Sequence, residues 1–509
     1  MHSPFAQQQT TYKRTNRVRI DADGATGTAL AVRGLRLLGA AHVSYLIPDR
    51  AKEGYGLTPA IVTRAAAFTP AWLMTVDNGI NSVEGAILAE RLGMRLIITD
   101  HHLPGSELPE AYAIVNPNQN GDPFASKAIS GVGVVLYLLI ALRRLLDART
   151  VSLGSLLDLV ALGTVADCVP LDANNRLLVR EGLRRITTGR ACPGIEALLA
   201  VSGKRPEDVY AQDLGFQVGP RLNAAGRLAD MAVGVRCLLT DDRSEAMGLA
   251  QELDRLNRER REREAQMQTD AEGQLTDLAG RLAPGICLME PHWHPGIIGI
   301  LAGRLKDRYK RPVIALAPAE PGYLRGSGRS VGCLNLRDTL ASIAEEHPGL
   351  LKHFGGHAAA AGLTVRTTDW KLLASAFARE VERRVGPGPF EDRQTDGELP
   401  PEDLSLALAL AIREGGPWGN GFPEPLFEGV FHVIESCLIK DQHLRLLVAP
   451  EAALDRPIKA MGFRLTELPP EGVLIRLRYR LGLDDYRGQQ KLCLYFDDWA
   501  LVSLAERVR

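Results

Sequence analysis

Residues 72–102 read WLMTVDNGINSVEGAILAERLGMRLIITDHH, and their order decides the fold class. A short apolar run, Trp72–Val76, ends on Asp77-Asn78-Gly79. A helical pattern over residues 82–92 follows, and a second apolar run, Arg95–Thr99, ends on Asp100-His101-His102. Run, helix and run make a βαβ unit with parallel strands. The alternation continues upstream, where the pattern predicts strands at residues 18–20 and 42–47 and a helix over 28–38. From Val18 to about Ala191 the chain therefore reads as α/β on a parallel sheet.

Open parallel sheets hold ligands at the carboxyl ends of their strands. Acidic clusters fall there: Asp21-Ala22-Asp23-Gly24 after the first run, then Asp77-Asn78-Gly79 and Asp100-His101-His102. Asp167, closing Thr164-Val165-Ala166-Asp167, ends another apolar segment and joins them. Carboxylates gathered in one crevice repel one another unless a cation neutralises them. A lone Asp after a strand is usually an Asx turn or a helix cap. Clusters at successive strand ends, one with tandem histidines, are better explained as a metal site. Oxygen ligands with one imidazole and no thiolate suit Mn²⁺ or Mg²⁺ better than Zn²⁺.

Farther along, residues 244–275 are strongly helical. Ala246, Leu249, Leu253 and Leu256 form an apolar stripe, and the charge-balanced stretch 254–264 reads as a solvated helix bridging two domains. A second α/β segment covers about 283–384, a Pro/Gly-rich linker 386–401, and the last hundred residues look mostly β. There Ile475, Leu477, Tyr479 and Leu481 alternate with Arg476, Arg478 and Arg480. The guanidinium face is either a phosphate-binding surface or the wet side of an antiparallel strand.

The 509 residues, 45% hydrophobic and 24% charged, have the composition of a soluble globular protein of several domains. A net charge of −1 leaves nucleic-acid binding to local basic faces. Seven cysteines, without CxxC or finger spacing, argue against a disulfide framework and structural zinc, and fit a reducing cytoplasm. The apolar run 129–142 is too broken to span a membrane, and residues 1–20 lack a signal-peptide core. His292 and His294 read as structural, with no third ligand nearby.

The acidic series resembles the motifs of the DHH phosphoesterases. Several further segments look like that family's single-strand-specific 5′→3′ exonucleases: Pro48-Asp49-Arg50 with Gly54-Tyr55-Gly56, Gly131-Val132-Gly133, the string from Gly219 to Arg227, Trp293-His294-Pro295-Gly296, Gly326-Ser327-Gly328-Arg329, Gly355-Gly356-His357, and Gly416-Pro417-Trp418-Gly419 with Phe422-Pro423-Glu424-Pro425. The likeness runs from about Ile20 to Trp499. It implies a parallel-sheet DHH domain (20–190), a helical connector (191–282) with a long connecting helix, an α/β DHHA1 domain (283–385), a linker (386–402) and a C-terminal β-rich OB-like domain (403–509). Catalysis would lie in the cleft between the first two globular parts.

The resemblance also implies roles. Asp21, Asp23, Asp77, His101 and Asp167 would hold two Mn²⁺ or Mg²⁺ ions, with Asp100 and His102 supporting them. His357 would meet the scissile phosphate; taken alone it reads equally as a satisfied histidine at a helix start. Arg50, Ser327 and Arg329 would take the 5′ phosphate, although a GSGR string alone is more often a turn. Arg221, Asn223 and Arg227 would clamp the substrate or satisfy the core, and Arg476, Arg478 and Arg480 would bind nucleic acid.

The implied activity is metal-dependent degradation of single-stranded DNA to 5′-mononucleotides in recombination and repair. It is cytoplasmic, with a single-strand-binding protein and a repair helicase as partners and no membrane. A phosphodiesterase acting on short oligonucleotides is a compact protein, so the connecting helix and β domain argue against that alternative. A catalytically impaired single-strand-binding scaffold is the third reading. It draws on one departure: the family carries an Asp two residues before Asp21, where this chain has Arg19. Residues 1–19 contain no acid and match nothing in the family. They are expected to be an altered start that weakens metal binding.

Overall fold

The computed structural model describes residues 21–48, 56–276, 282–387, 394–441, 443–463, 465–486 and 489–502. The chain divides into two units. One is Met1–Asn223 with Asp230–Gln251 and Gln394–Arg509; the other is Ala224–Ala229 with Glu252–Arg393.

In the first unit β1 (Trp72–Val76), β2 (Arg95–Thr99) and β3 (Ala113–Val115) form a parallel sheet in that order, with Trp72 opposite Arg95 and Ile97 opposite Ala113. The crossover helix Val83–Arg91 buries Gly85, Ala86 and Ala89 against the sheet's core of Leu57, Ile61, Leu73, Leu96 and Ile98. Residues 42–47 are not a strand. Leu46 and Ile47 are buried, but the segment has no ladder partner among the described residues. Its apolar pattern encoded burial rather than pairing. Residues 18–20 lie outside the described residues.

The first helix, Ala22–Leu37, starts well before the expected Thr28. Asp21 caps it, its carboxylate accepting from the Asp23 and Gly24 amides at 3.0 and 3.3 Å. Small residues let this helix bury almost completely: a Cβ on Gly27 would come within 2.7 Å of Val76. Two apolar helices, Gly131–Leu145 and Leu157–Ala166, pack beside it.

The second unit carries a mixed sheet, β4 (Ile286–Met289), β5 (Val313–Pro318), β6 (Tyr323–Arg329), β7 (Leu351–Gly356) and β8 (Ala360–Arg366), ordered β4-β5-β6-β8-β7. Ser327 and Arg329 therefore lie on a strand, not in a turn, and His357 follows β7 rather than starting a helix. The chain enters this unit within the helix Arg243–Thr276. The stretch 254–264 is not simply solvated. Asn257, Arg260 and Glu264 are buried, and Glu264 sits 2.8 Å from Arg260 and 2.5 Å from Arg304. Arg304 comes from the distant helix Ile298–Tyr309, so local charge balance could not reveal the network.

Also in the first unit, β9 (Phe427–Ile439), β10 (His443–Pro450), β11 (Ile458–Phe463), β12 (Leu474–Tyr486) and β13 (Gln489–Leu501) close a barrel ordered β10-β11-β13-β12-β9. Ile475, Leu477, Tyr479 and Leu481 fill its core, so Arg476, Arg478 and Arg480 face outward. Carboxylates interleave with them. Arg478 pairs in register with Glu428 and Asp498, and Arg480 lies 3.0 Å from Asp497.

Candidate active site

Asp77 leaves β1 in the left-handed region, φ 62°, and is almost fully buried. Asp100 leaves β2. Asp23 lies in the first turn of the first helix, and Asp167 caps the end of helix Leu157–Ala166. These elements bring four side chains together. His101 Nε2 lies 3.0 Å from Asp77 Oδ1, 3.6 Å from Asp167 Oδ2 and 3.9 Å from Asp23 Oδ2. Asp21 lies at the same edge, capping the helix that carries Asp23.

Neighbouring groups fix these ligands. The Asp23 carboxylate accepts from the Gly131 and Val132 amides at 2.6 and 2.9 Å, seated on the N-terminus of helix Gly131–Leu145. Asp100 accepts from the amides of Ile80, His101 and His102 and meets His102 Nδ1 at 2.7 Å. Its acceptor capacity is largely taken up in orienting the histidine pair. Asn116 and Asn118 donate to the carbonyls of His102 and His101 at 2.9 and 2.5 Å. Sequence reasoning missed these two asparagines and the Gly131 and Val132 amides. Gly131-Val132-Gly133 stood out as a string, but nothing local says which carboxylate it grips.

Burial pushes the Asp23 carboxyl up to about 6, with Asp21 adding repulsion and His101 and the two amides opposing. Burial, then repulsion from Asp23 and Asp21, holds Asp77 and Asp167 well above the usual carboxylate range. His102 is drawn down by burial, but its bond to Asp100 more than offsets this and leaves it raised. Asp77 Oδ1 and His101 Nε2 are buried and make no hydrogen bond. Mutually repelling carboxylate oxygens, one imidazole and two orphaned atoms facing each other fit a hard divalent cation.

The pH dependence follows. Carboxyls raised in the native state bind protons more readily there than in the unfolded chain. The metal-free protein therefore loses stability as pH rises through the native values, and a cation that binds the deprotonated form loses ground as pH falls. The rise in Tm on adding Mn²⁺ should be several degrees larger at pH 8 than at pH 5. Equal gains in thermal melts at the two pH values would remove these carboxylates from the metal site.

The other expected residues divide between the units. In the first, Asn223 Oδ1 accepts from the Ala22 amide at 2.9 Å, and Arg221, itself buried, donates to the Gln217 carbonyl at 2.6 Å. In the second, Arg227 donates to the Gly296 carbonyl at 2.9 Å. Arg329 Nη1 donates to Ser327 Oγ at 3.1 Å and to the Gly328 carbonyl at 2.8 Å. Burial lowers the Arg329 pKa, and no carboxylate pairs with it among the described residues. His357 is exposed in the turn from β7 to β8, its amide donating to the Ala360 carbonyl. His292 meets Asp270 at 2.8 Å, and His294 accepts from the Gly296 amide at 3.0 Å, as structural histidines. Arg19 and Arg50 lie outside the described residues.

The chain matches the DHH family, N-terminal domain, over residues 16–164, the DHHA1 domain over 283–383 and the RecJ OB domain over 395–498. It is 46% identical over 498 residues to the single-stranded-DNA-specific exonuclease RecJ of Salmonella typhimurium, covering 94% of this chain and 86% of that protein. Against the Escherichia coli enzyme of the same name it is 45% identical, with 94% and 85% covered. Among solved structures it resembles RecJ in complex with Mn²⁺ from Thermus thermophilus. The TM-score is 0.79 at 30% identity, over 96% of this chain and 69% of that one.

Proposed function

This chain belongs to the RecJ family of single-stranded-DNA-specific exonucleases, and from that premise we propose that it hydrolyses single-stranded DNA from the 5′ end to 5′-mononucleotides, in recombination and repair. The observation that carries this reading is the convergence of Asp23, Asp77, His101 and Asp167, with two buried atoms lacking hydrogen bonds. Asp21, Asp23, Asp77, His101 and Asp167 would hold two Mn²⁺ or Mg²⁺ ions, which would supply Lewis acidity and charge neutralisation at the scissile phosphate.

The chain's own groups do the positioning. The helix amides fix both oxygens of Asp23. Asp100 anchors His102 through Nδ1, leaving Nε2 to hold a proton towards a phosphate oxygen, a role its raised pKa favours. Arg329 and Ser327, with Arg50, take the 5′ phosphate, and His357 takes a phosphate oxygen. Arg221, Asn223 and Arg227 hold the backbone segments that line the substrate path. On the barrel, Arg476 is the leading single-strand contact, since its cross-strand neighbours are Val430 and Ala500 rather than acids; Arg478 and Arg480 act with it. A single-strand-binding protein and a repair helicase are the protein partners in this reading, and its setting is the cytoplasm. No described helix is long and apolar enough to cross a membrane.

The test is a long 5′-phosphorylated single strand incubated with and without Mn²⁺. Mononucleotides should appear only with metal, and a blunt duplex should resist. Release limited to di- and trinucleotide substrates would favour the short-oligonucleotide phosphodiesterase instead. Arg329→Ala should raise KM for a 5′-phosphorylated end about tenfold more than for a 5′-hydroxyl end, the worth of a charge-assisted hydrogen bond. Equal losses on both ends would return Arg329 to a packing role.

A further inference from the structure

We propose that the segment 416–425, which leads into the barrel, positions Asp167, and that Asn420 is the positioning residue. The inference rests on reading Asp167 as a metal ligand. Directly after Asp167, Cys168 is held in the left-handed region at φ 58°, which non-glycine residues seldom adopt. Such a conformation persists where its surroundings over-determine it. Here they come from far along the chain. Asn420 Nδ2 donates to the Cys168 carbonyl at 2.7 Å, and the Leu171 amide donates back to the Asn420 carbonyl at 2.7 Å.

The flanking residues are shaped to this contact. A Cβ on Gly419 would come within 2.7 Å of Leu171 Cδ1. Gly421, at φ 70°, lies so close to Pro170 that its Cβ would stand 3.0 Å from that ring. The Arg176 guanidinium lies 4.0 Å over Phe422, which stacks on Trp418 at 4.8 Å. Trp418 donates to the Ile412 carbonyl at 2.8 Å and packs against the barrel core. Phe422 and Gly419 exchange backbone hydrogen bonds at 3.1 and 2.9 Å, so the path from that core runs through Trp418, Phe422 and Gly419 to Asn420 and the carbonyl of Cys168, the residue after Asp167, all within the first unit. Groups that orient a ligand in this way are typically worth about 10–100-fold in metal affinity or activity.

The test compares the parent with Asn420→Ala, Asn420→Asp and Phe422→Leu, by calorimetric Mn²⁺ titration of the EDTA-treated full chain and by turnover of a short 5′-phosphorylated oligonucleotide. Asn420→Ala should weaken Mn²⁺ binding about tenfold. It should lower kcat with KM unchanged, and excess Mn²⁺ should restore the rate. Asn420→Asp should lose more, because a carboxylate then faces a carbonyl beside Asp167. Phe422→Leu keeps Asn420 but loosens its seat, so it should lose less, and it carries the test if an Asn420 variant fails to fold. Variants with the parent's Mn²⁺ affinity and kcat overturn the proposal, including a case where only KM for long strands rises. A parent that itself takes up no Mn²⁺ would fail differently, overturning the metal reading of Asp167.

Discussion

Asp77→Asn is expected to give a folded protein that still grips single-stranded DNA, hydrolyses it at least ~10³-fold more slowly, and, without metal, melts at a higher temperature than the parent. The two signs have one cause. Asp77 is buried, and the nearby Asp23 and Asp21 raise its pKa further, so its charge is a cost to the metal-free fold. Asparagine removes that charge. It also tolerates the left-handed backbone at φ 62°, which alanine accepts less readily. With metal the balance inverts. The lost anionic ligand should abolish the parent's gain in Tm on adding Mn²⁺, and turnover with it. Single-strand binding should survive, because the phosphate contacts proposed for the barrel arginines do not involve Asp77. Thermal melts with and without Mn²⁺, set beside single-strand turnover, read all three. Undiminished cleavage at saturating Mn²⁺, or a lower metal-free Tm, would make Asp77 a structural residue.

How legible this centre is in the sequence depends on the range of each interaction. β1 and β2 were readable because an apolar run ending on an acid is a local pattern, and the acids fell where a parallel sheet exposes its strand ends. The β12 alternation was readable for the same reason. What buries a helix beside a carboxylate is not local. Gly131 and Asp23 stand 108 positions apart, so nothing in either string announces their bond. The first helix was placed too late because, Asp23 apart, its opening residues 22–28 are Ala, Gly and Thr. These are weak signals of helical periodicity, whereas the Asp21 cap and close packing make them the most buried part of the element. The opposite error occurred at residues 42–47, where burial imitated pairing. The Arg260–Glu264–Arg304 network stayed hidden because a run of balanced charges looks the same whether water or a distant arginine satisfies it.

Gly131 turns that non-local packing into a measurable result with a counter-intuitive sign. It opens the helix Gly131–Leu145, and alanine is intrinsically better in a helix by about 1 kcal/mol. A local account therefore expects Gly131→Ala to stabilise. The site dictates the reverse. A Cβ there would stand 2.7 Å from both Cβ and Oδ1 of Asp77, closer than real carbon contacts allow. Either Asp77 is driven from His101 or the helix withdraws, and withdrawal takes the Gly131 amide away from Asp23. Overpacking of this kind typically costs about 1–3 kcal/mol. Both routes also spread the ligands, so Mn²⁺ affinity should fall by roughly tenfold or more. Gly248→Ala is the control. It lies in the helix Arg243–Thr276 with nothing within 4 Å of its would-be Cβ, and there the intrinsic preference should prevail as a small gain in Tm. Calorimetry of Mn²⁺ binding and thermal melts of the two variants decide the matter. If Gly131→Ala matches Gly248→Ala in stability and the parent in metal affinity, the helix start does not press on Asp77, and the ligand geometry must be held by other contacts.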